Sequence, residues 1–211
     1  IRDLRMSRGL GDVYKRQGIT LVPGDCVYVD LNADGEINSN DATRDIGYTD
    51  MPEYTAGLNT GFSWKNFDFS MQWTGAWNVD RMLDEFRRPL GDTNEKGLLL
   101  YQYDTTWRSS ADTFTAKFPR TSSLHASNNY AGSDLYLINA SYLRLKSVEI
   151  GYNFNFPFMK KLKMDNCRLY VNGYNLITIT GFKWGDPESR QSSRPNYPLT
   201  RVFNIGLKLG F

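Results

Sequence analysis

The chain has 211 residues, of which 40% are hydrophobic, 14% aromatic and 23% charged, and its formal net charge is only +2. Mean hydropathy is −0.51, and no stretch approaches the roughly 20 apolar residues that a helical membrane span requires. Strands of a membrane β-barrel are only about 9–11 residues long and half polar, so composition leaves that class open alongside one or two soluble domains. The aromatic content and low net charge speak against disorder.

Residues 1–17 hold five Lys/Arg and two Asp; without them 20 basic and 21 acidic residues remain. The isoelectric point of about 8.5 thus comes from one short arm, and no general nucleic-acid-binding surface is implied. The arm lacks the apolar centre of a signal peptide. It reads as a flexible basic tail or, in the preferred reading, as non-native sequence of the kind found at the edges of assembled metagenomic reading frames. The fold is therefore expected over residues 18–211. Cys26 and Cys167 show no CxxC or Cys/His metal spacing and are expected to be unpaired.

Residues 30–41 (DLNADGEINSND) carry the ligand chemistry. Oxygen-bearing side chains at loop positions 1, 3, 5 and 12, a glycine at 6 and an aliphatic residue at 8 follow the twelve-residue calcium-loop pattern. Asp30, Asn32, Asp34 and Asp41 would bind Ca²⁺ through side chains, and Glu36 through its carbonyl. An aspartate replaces the usual bidentate glutamate at the last position, so the expected affinity is weak, roughly 10⁻⁴–10⁻³ M. The alternative is an Asx-rich turn without metal.

From Tyr54 onward the dominant period is two. Tyr54, Ala56, Leu58, Thr60, Phe62 and Trp64 share one face; after Lys65-Asn66 the alternation resumes with Phe67, Phe69, Met71 and Trp73. Two such runs joined by two polar residues predict a tight hairpin, with Asn66 tolerating positive φ. A third strand is expected over about 142–154. Its leucines at 143 and 145 have the opposite parity to Val148, Ile150 and Tyr152, which implies a bulge or a change of environment. A fourth is expected over about 168–180, with poorer alternation. The last places Phe203, Ile205, Leu207, Leu209 and Phe211 on one face.

The connections alternate short (65–66, about 155–167) and long (78–141, 181–200). An outer-membrane barrel keeps short turns on one side and long loops on the other, whereas a soluble sandwich has no such need. Five strands cannot close a barrel, and the odd count suggests a truncated chain. Trp77, Trp107 and Trp184 lie at or in the long loops, where their faces could stack on sugar rings; membrane-interface anchoring or loop packing is the alternative. His125, the lone histidine, reads as an exposed loop residue.

Several segments resemble the C-terminal portion of the SusC/RagA-type TonB-dependent outer-membrane transporters. They are Pro23-Gly24-Asp25 leading into VDLNADGEIN, GLNTGFSWKNFDFSMQWTGAW (57–77), Pro119-Arg120, Asn128-Asn129, ASYLRLKSVEIGYNF (140–154), RLYVNGYNLIT (168–178) and the terminal RVFNIGLKLGF. The resemblance runs from about residue 18 to the end and is weakest across 78–118. It implies an all-β fold, the C-terminal strands of an antiparallel transmembrane barrel of about 22 strands whose N-terminal plug and TonB-binding segment are absent here. It also implies a Gram-negative outer-membrane location among lipid, TonB-driven import of glycans or peptides, a SusD-like surface lipoprotein acting as a lid, and no catalysis. Phe203 and the terminal Phe211 would belong to the strand read by the barrel-assembly machinery. Glu149 and Lys208, on polar strand faces, would line the lumen or touch the plug. The main rival is a secreted, calcium-stabilised β-sandwich that binds carbohydrate. A glycoside hydrolase fragment is disfavoured because no acid/base pair stands out among the carboxylates.

Overall fold

A computed structural model describes residues 20–43, 45–84, 87, 99–112, 114–121, 126–155, 157, 163–189 and 199–211. The arm 1–17 and His125 lie outside them. The described residues fall into two compact units, one from 20–47 and 81–138, the other from 48–80, 139–189 and 199–211.

The second unit is dominated by a five-stranded antiparallel sheet. Its strands are β1 (Tyr54–Trp64), β2 (Phe67–Trp77), β5 (Tyr142–Phe154), β6 (Asn166–Thr180) and β7 (Val202–Gly210), in the spatial order β1-β2-β5-β6-β7. Two short strands from the long insertion, β3 (Asp80–Met82) and β4 (Leu137–Asn139), form a separate ribbon. Every expected strand is present within one or two residues. The insertion, read from the sequence only as a long loop, also contains helices α1 (Leu100–Thr105) and α2 (Ala126–Asn129). They are too short for a 3.6-residue period to register.

β1 and β2 pair without interruption from Tyr54↔Trp77 to Trp64↔Phe67. The positive φ of their turn falls on Lys65 (55°) and not on Asn66. Between β2 and β5 the register runs Gln72↔Ser147 and then Trp73↔Leu145, so Lys146 is the extra residue of a β-bulge. This is the origin of the parity switch in the sequence. Past the bulge Leu145 and Leu143 join the face of Val148, Ile150 and Tyr152, opposite Trp73 and Gly75. On the other side of β5, Asn175 and Leu176 occupy the corresponding interval, and Asn175 takes φ 54°. Asn visits the left-handed region more readily than other non-glycine residues, because its short polar side chain bonds locally.

The register gives the sheet two unlike faces. One carries Leu58 and Phe62, Phe69 and Met71, Ile150, Val171, Ile179, Ile205 and Leu207, and it is bare: Phe62 is 57% exposed, Ile179 58% and Ile205 78%. A β-sandwich would bury this face against a second sheet, but no strand of the described residues covers it. Leaving a large apolar side chain in water forgoes about 1.5–3 kcal/mol. Five such residues would match the roughly 5–15 kcal/mol total stability of an ordinary domain. This face is built for a solvent other than water.

The opposite face is hydrogen-bonded from strand to strand. Arg168 on β6 reaches across β5 to Asp68 on β2, donating through Nε (3.1 Å) and Nη2, and its Nη2 also meets Glu149 Oε1 at 2.7 Å. Asn172 Nδ2 donates to Glu149 (3.3 Å), and Asn204 Nδ2 to Asn172 (2.9 Å), extending the chain of contacts to β7. The long reach of Arg168 needs a gap in β5, and Gly151 supplies it. A Cβ there would stand 2.6 Å from Asp68 Oδ2 and 2.7 Å from Arg168 Nε.

Gly151→Ala should therefore displace the Arg168–Asp68 pair at a cost of up to about 1.5–3 kcal/mol, the range for hydrogen bonds to charged groups. It should lower the temperature at which the assembled, compact gel band converts to the unfolded one. In an Arg168→Met background the same alanine should have little further effect; equal additive losses in both backgrounds would refute the assignment.

Candidate functional site

Three separated dipeptide and tripeptide motifs meet in the first unit. Asp25, Asn128 and Asn129 are fully buried. Asp25 Oδ1 accepts from Arg120 Nε (2.7 Å) and Asn129 Nδ2 (2.9 Å), while Asp25 Oδ2 accepts from Val22 N–H (3.0 Å). Asn129 Oδ1 accepts from Cys26 N–H at 3.0 Å, and Asn128 Nδ2 donates to the Cys26 carbonyl at 2.9 Å. The hydroxyls of Tyr28 and Tyr136 donate to the carbonyls of Asn128 and Asn129, both at 2.7 Å. Residues some hundred positions apart are thus tied through polar groups, which an interior tolerates only when they are hydrogen-bonded. Sequence reasoning found Pro23-Gly24-Asp25, Pro119-Arg120 and Asn128-Asn129 as separate marks and did not bring them together.

The acidic loop is a closed turn. Asp30 accepts from Ala33 N–H (2.7 Å) and Gly35 N–H (2.8 Å), Asn32 from Asp34 N–H (3.0 Å), and Asp34 from Glu36 N–H (2.8 Å). Asp41 accepts from Asn38, Leu31 and Asn32 N–H groups, of which the Asn38 bond does most to hold its carboxyl below the usual carboxylate range. Gly35 takes φ 84°, as the sixth loop position demands. Among the described residues no group of three or more His, Cys, Asp or Glu side chains is arranged to hold a metal ion. The case for calcium at Asp30, Asn32, Asp34, Glu36 and Asp41 therefore rests on their spacing. Beside the loop lies a cleft of about 370 Å³, floored by Val27, Val29, Leu31, Ile37 and Ile46 and edged by Asp41, Ser133 and Asp134.

The three tryptophans do not converge. Trp77 ends β2 on the apolar face, opposite Tyr54, with its ring laid over Gly75. Trp107 packs its ring on Gly24, whose φ is 90°; a Cβ at Gly24 would run into the indole, standing 2.6 Å from its Cδ2. Trp184 is half-buried in the segment after β6. Phe203, opposite Gly173, and Phe211 are exposed on the apolar side and beyond the end of β7 respectively. Glu149 lies in the ion-paired row, and Lys208 sits opposite Arg168.

Both cysteines are free thiols, as expected. Burial, reinforced by the neighbouring Asp25 carboxylate, pushes the Cys26 thiol up to about 12. Its raised value means that the native state keeps the proton while an unfolded chain releases it above about 9. The stability this thiol contributes is therefore complete below pH 9 and declines as pH rises further. At pH 8 a membrane-permeant maleimide should leave Cys26 unlabelled in the native protein and modify it fully after denaturation. Rapid native-state labelling at Cys26 would contradict the buried network.

No family model matches the chain. The TonB-dependent receptor P3 of Formosa agariphila is 30% identical over 90% of this chain, which covers 19% of that protein. The TonB-dependent receptor SusC of Bacteroides thetaiotaomicron is 28% identical over 90% of this chain, which covers 18% of it. Among solved structures, the RagAB peptide importer in its open-open state superposes with a TM-score of 0.66 at 19% identity, over 98% of this chain and 21% of that one. Its closed-closed state gives 0.65 at 22% identity, over 89% and 21%. At these identities the structural likeness speaks to the fold, an antiparallel sheet of the kind found in TonB-dependent barrel transporters. The chain spans about one fifth of the length of the curated relatives it matches, and over that span those relatives are TonB-dependent receptors, SusC among them.

Proposed function

We propose that the chain forms the C-terminal part of the barrel wall of an outer-membrane, TonB-dependent importer in a Gram-negative bacterium. The observation that carries this reading is the contrast between the two sheet faces. A bare apolar face suits lipid, and a face crossed by Arg168, Asp68, Glu149 and Asn172 suits a wet or plugged lumen. The connections support it. The Lys65-Asn66 turn and the 155–165 link leave one end of the sheet, while 78–141 and 181–201 leave the other. In an outer-membrane barrel the short turns face the periplasm and the long loops face outside.

In this reading the imported substrate is a glycan or a peptide, and a SusD-like surface lipoprotein closes over the long loops. TonB would act through an N-terminal part of the receptor, and the barrel-assembly machinery would recognise β7 with its terminal aromatic. The chain supplies wall and loops and performs no bond-breaking chemistry. Of the three candidate tryptophans Trp184 would be the one to meet substrate in this reading, since Trp77 is on the apolar face and Trp107 is packed on Gly24.

Two substitutions on adjacent residues of β7 test the facing in the full-length receptor. Ile205→Arg puts a charge on the lipid side, at a cost of about 2–4 kcal/mol near the bilayer midplane, whereas Asn204→Arg lies on the polar side. The first should reduce the amount of assembled, heat-modifiable protein in the outer membrane and the second should not; the reverse order would refute the assigned faces. Phe211→Ala should likewise lower the assembled amount while leaving uptake per assembled molecule unchanged. Equal outer-membrane levels of mutant and parent would remove the assembly role of the terminal aromatic.

A further inference from the structure

Resting on the reading of the polar face as the wet side of a barrel, we propose that the segment 181–189 after β6 is a strap clamped inward over that face. It is thereby a fixed piece of the cavity wall, distinct from a loop free to swing with a lid.

The clamp is Arg144. This side chain is 2% exposed, sits on the polar face of β5 opposite Thr74 and Thr178, and is fully forked. Its Nε donates to Thr178 Oγ1 (3.1 Å), Nη2 to Asp186 Oδ1 (2.7 Å) and Nη1 to Glu188 Oε2 (2.7 Å), and its guanidinium carbon lies 5.4 Å from the centre of the Tyr142 ring. A buried guanidinium is tolerated only with such complete pairing, and removing its partners strands a charge. Asp186 Oδ1 also accepts from Glu188 N–H (2.9 Å), which shapes the turn to present both carboxylates to one fork. Lys146, the bulge residue, adds Nζ to Glu188 at 3.2 Å. The near end of the strap is pinned as well: Phe182 N–H donates to Thr180 Oγ1 (3.0 Å), and the Phe182 ring is buried.

The path of the chain follows from these contacts. Asp186 lies six residues beyond Thr180, the last residue of β6, yet it meets the partner of Thr178, which is two residues back inside the strand. The segment has therefore doubled back over the polar face and does not continue away from the strand end. Lys183, exposed, and Trp184, half-buried, ride on this strap. They would meet whatever occupies the cavity, whether or not the outer loops are covered.

The test uses the full-length receptor on intact cells treated with trypsin, following the fragment that ends at Lys183. The parent should resist cleavage there. Arg144→Met should be cleaved at least tenfold faster, and Arg144→Lys, which keeps the charge but not the fork, should fall between. The triple variant Arg144→Met, Asp186→Asn, Glu188→Gln strands no buried charge, the part-exposed Lys146 remaining solvated, and guards against a simple failure to fold; it should match Arg144→Met. Heat-modifiable migration of each variant reports assembly separately, so its loss in the parent would refute the barrel reading itself. Equal cleavage of parent and assembled variants at Lys183 would overturn the strap.

Discussion

The structure depends on the pairing register of five antiparallel strands. Side chains alternate with a period of two, so a slip of one residue in any strand would send its whole apolar row to the polar side and its charges to the apolar side. The pairings Phe69↔Ile150, Ile150↔Val171 and Val171↔Ile205 carry one apolar row across four strands. Asp68, Glu149, Arg168 and Asn204 fall on the other face by the same rule. The bulge at Lys146 preserves this division where a regular strand would lose it, because β5 needs one extra residue to keep both Leu145 and Val148 on the apolar side. In the same step it frees the Lys146 side chain to reach Glu188.

Two arginines organise the polar face, and their different burial suits their different partners. Arg168 lies near the short-turn end, partly exposed, and bridges three strands over the gap left by Gly151. An ion pair of that exposure contributes modestly on its own, and its weight lies in fixing which strands stand side by side. Arg144 lies toward the long-connection end and is buried under the segment it holds. There the geometry must be complete, since each unmet donor would carry a desolvation cost. Neither cluster could stand on the apolar side, where charge has no compensating water.

The strands were legible because their signal is local: alternation, a two-residue link, and a parity change of the kind a bulge produces. β6 was harder to face because Asn175 and Leu176 interrupt its pattern opposite the bulge, and their effect depends on the neighbouring strand. The Arg168–Asp68 pair was not legible at all, since its partners are a hundred residues apart and meet only across an intervening strand. Alternation marks Glu149 as polar-facing, but nothing local in the sequence reveals that it shares an arginine with Asp68. The tryptophans show the same limit. Sequence placed Trp77 and Trp107 near loops, whereas strand parity and the positive φ of Gly24 decided that one faces outward and the other packs.

The 78–141 insertion was the least legible part, and the reason lies in how its unit is held. Among the described residues its buried apolar side chains are Cys26, Ile37, Leu83, Phe118 and Tyr136. These positions are scattered along the sequence and leave no periodic trace in it. The unit's order comes from buried amides and a carboxylate that hydrogen-bond to side-chain and backbone groups of distant segments. Apolar contacts tolerate exchange and sliding, whereas Asn129 satisfies Cys26 N–H and Asp25 Oδ1 only in one orientation. A network of this kind penalises every alternative packing, because a half-satisfied polar core is worse than an apolar one. A long connection that must hold a defined surface with little to bury is well served by that penalty. Its signature in sequence is a few isolated polar pairs such as Asn128-Asn129, which carry meaning only once they are seen to meet.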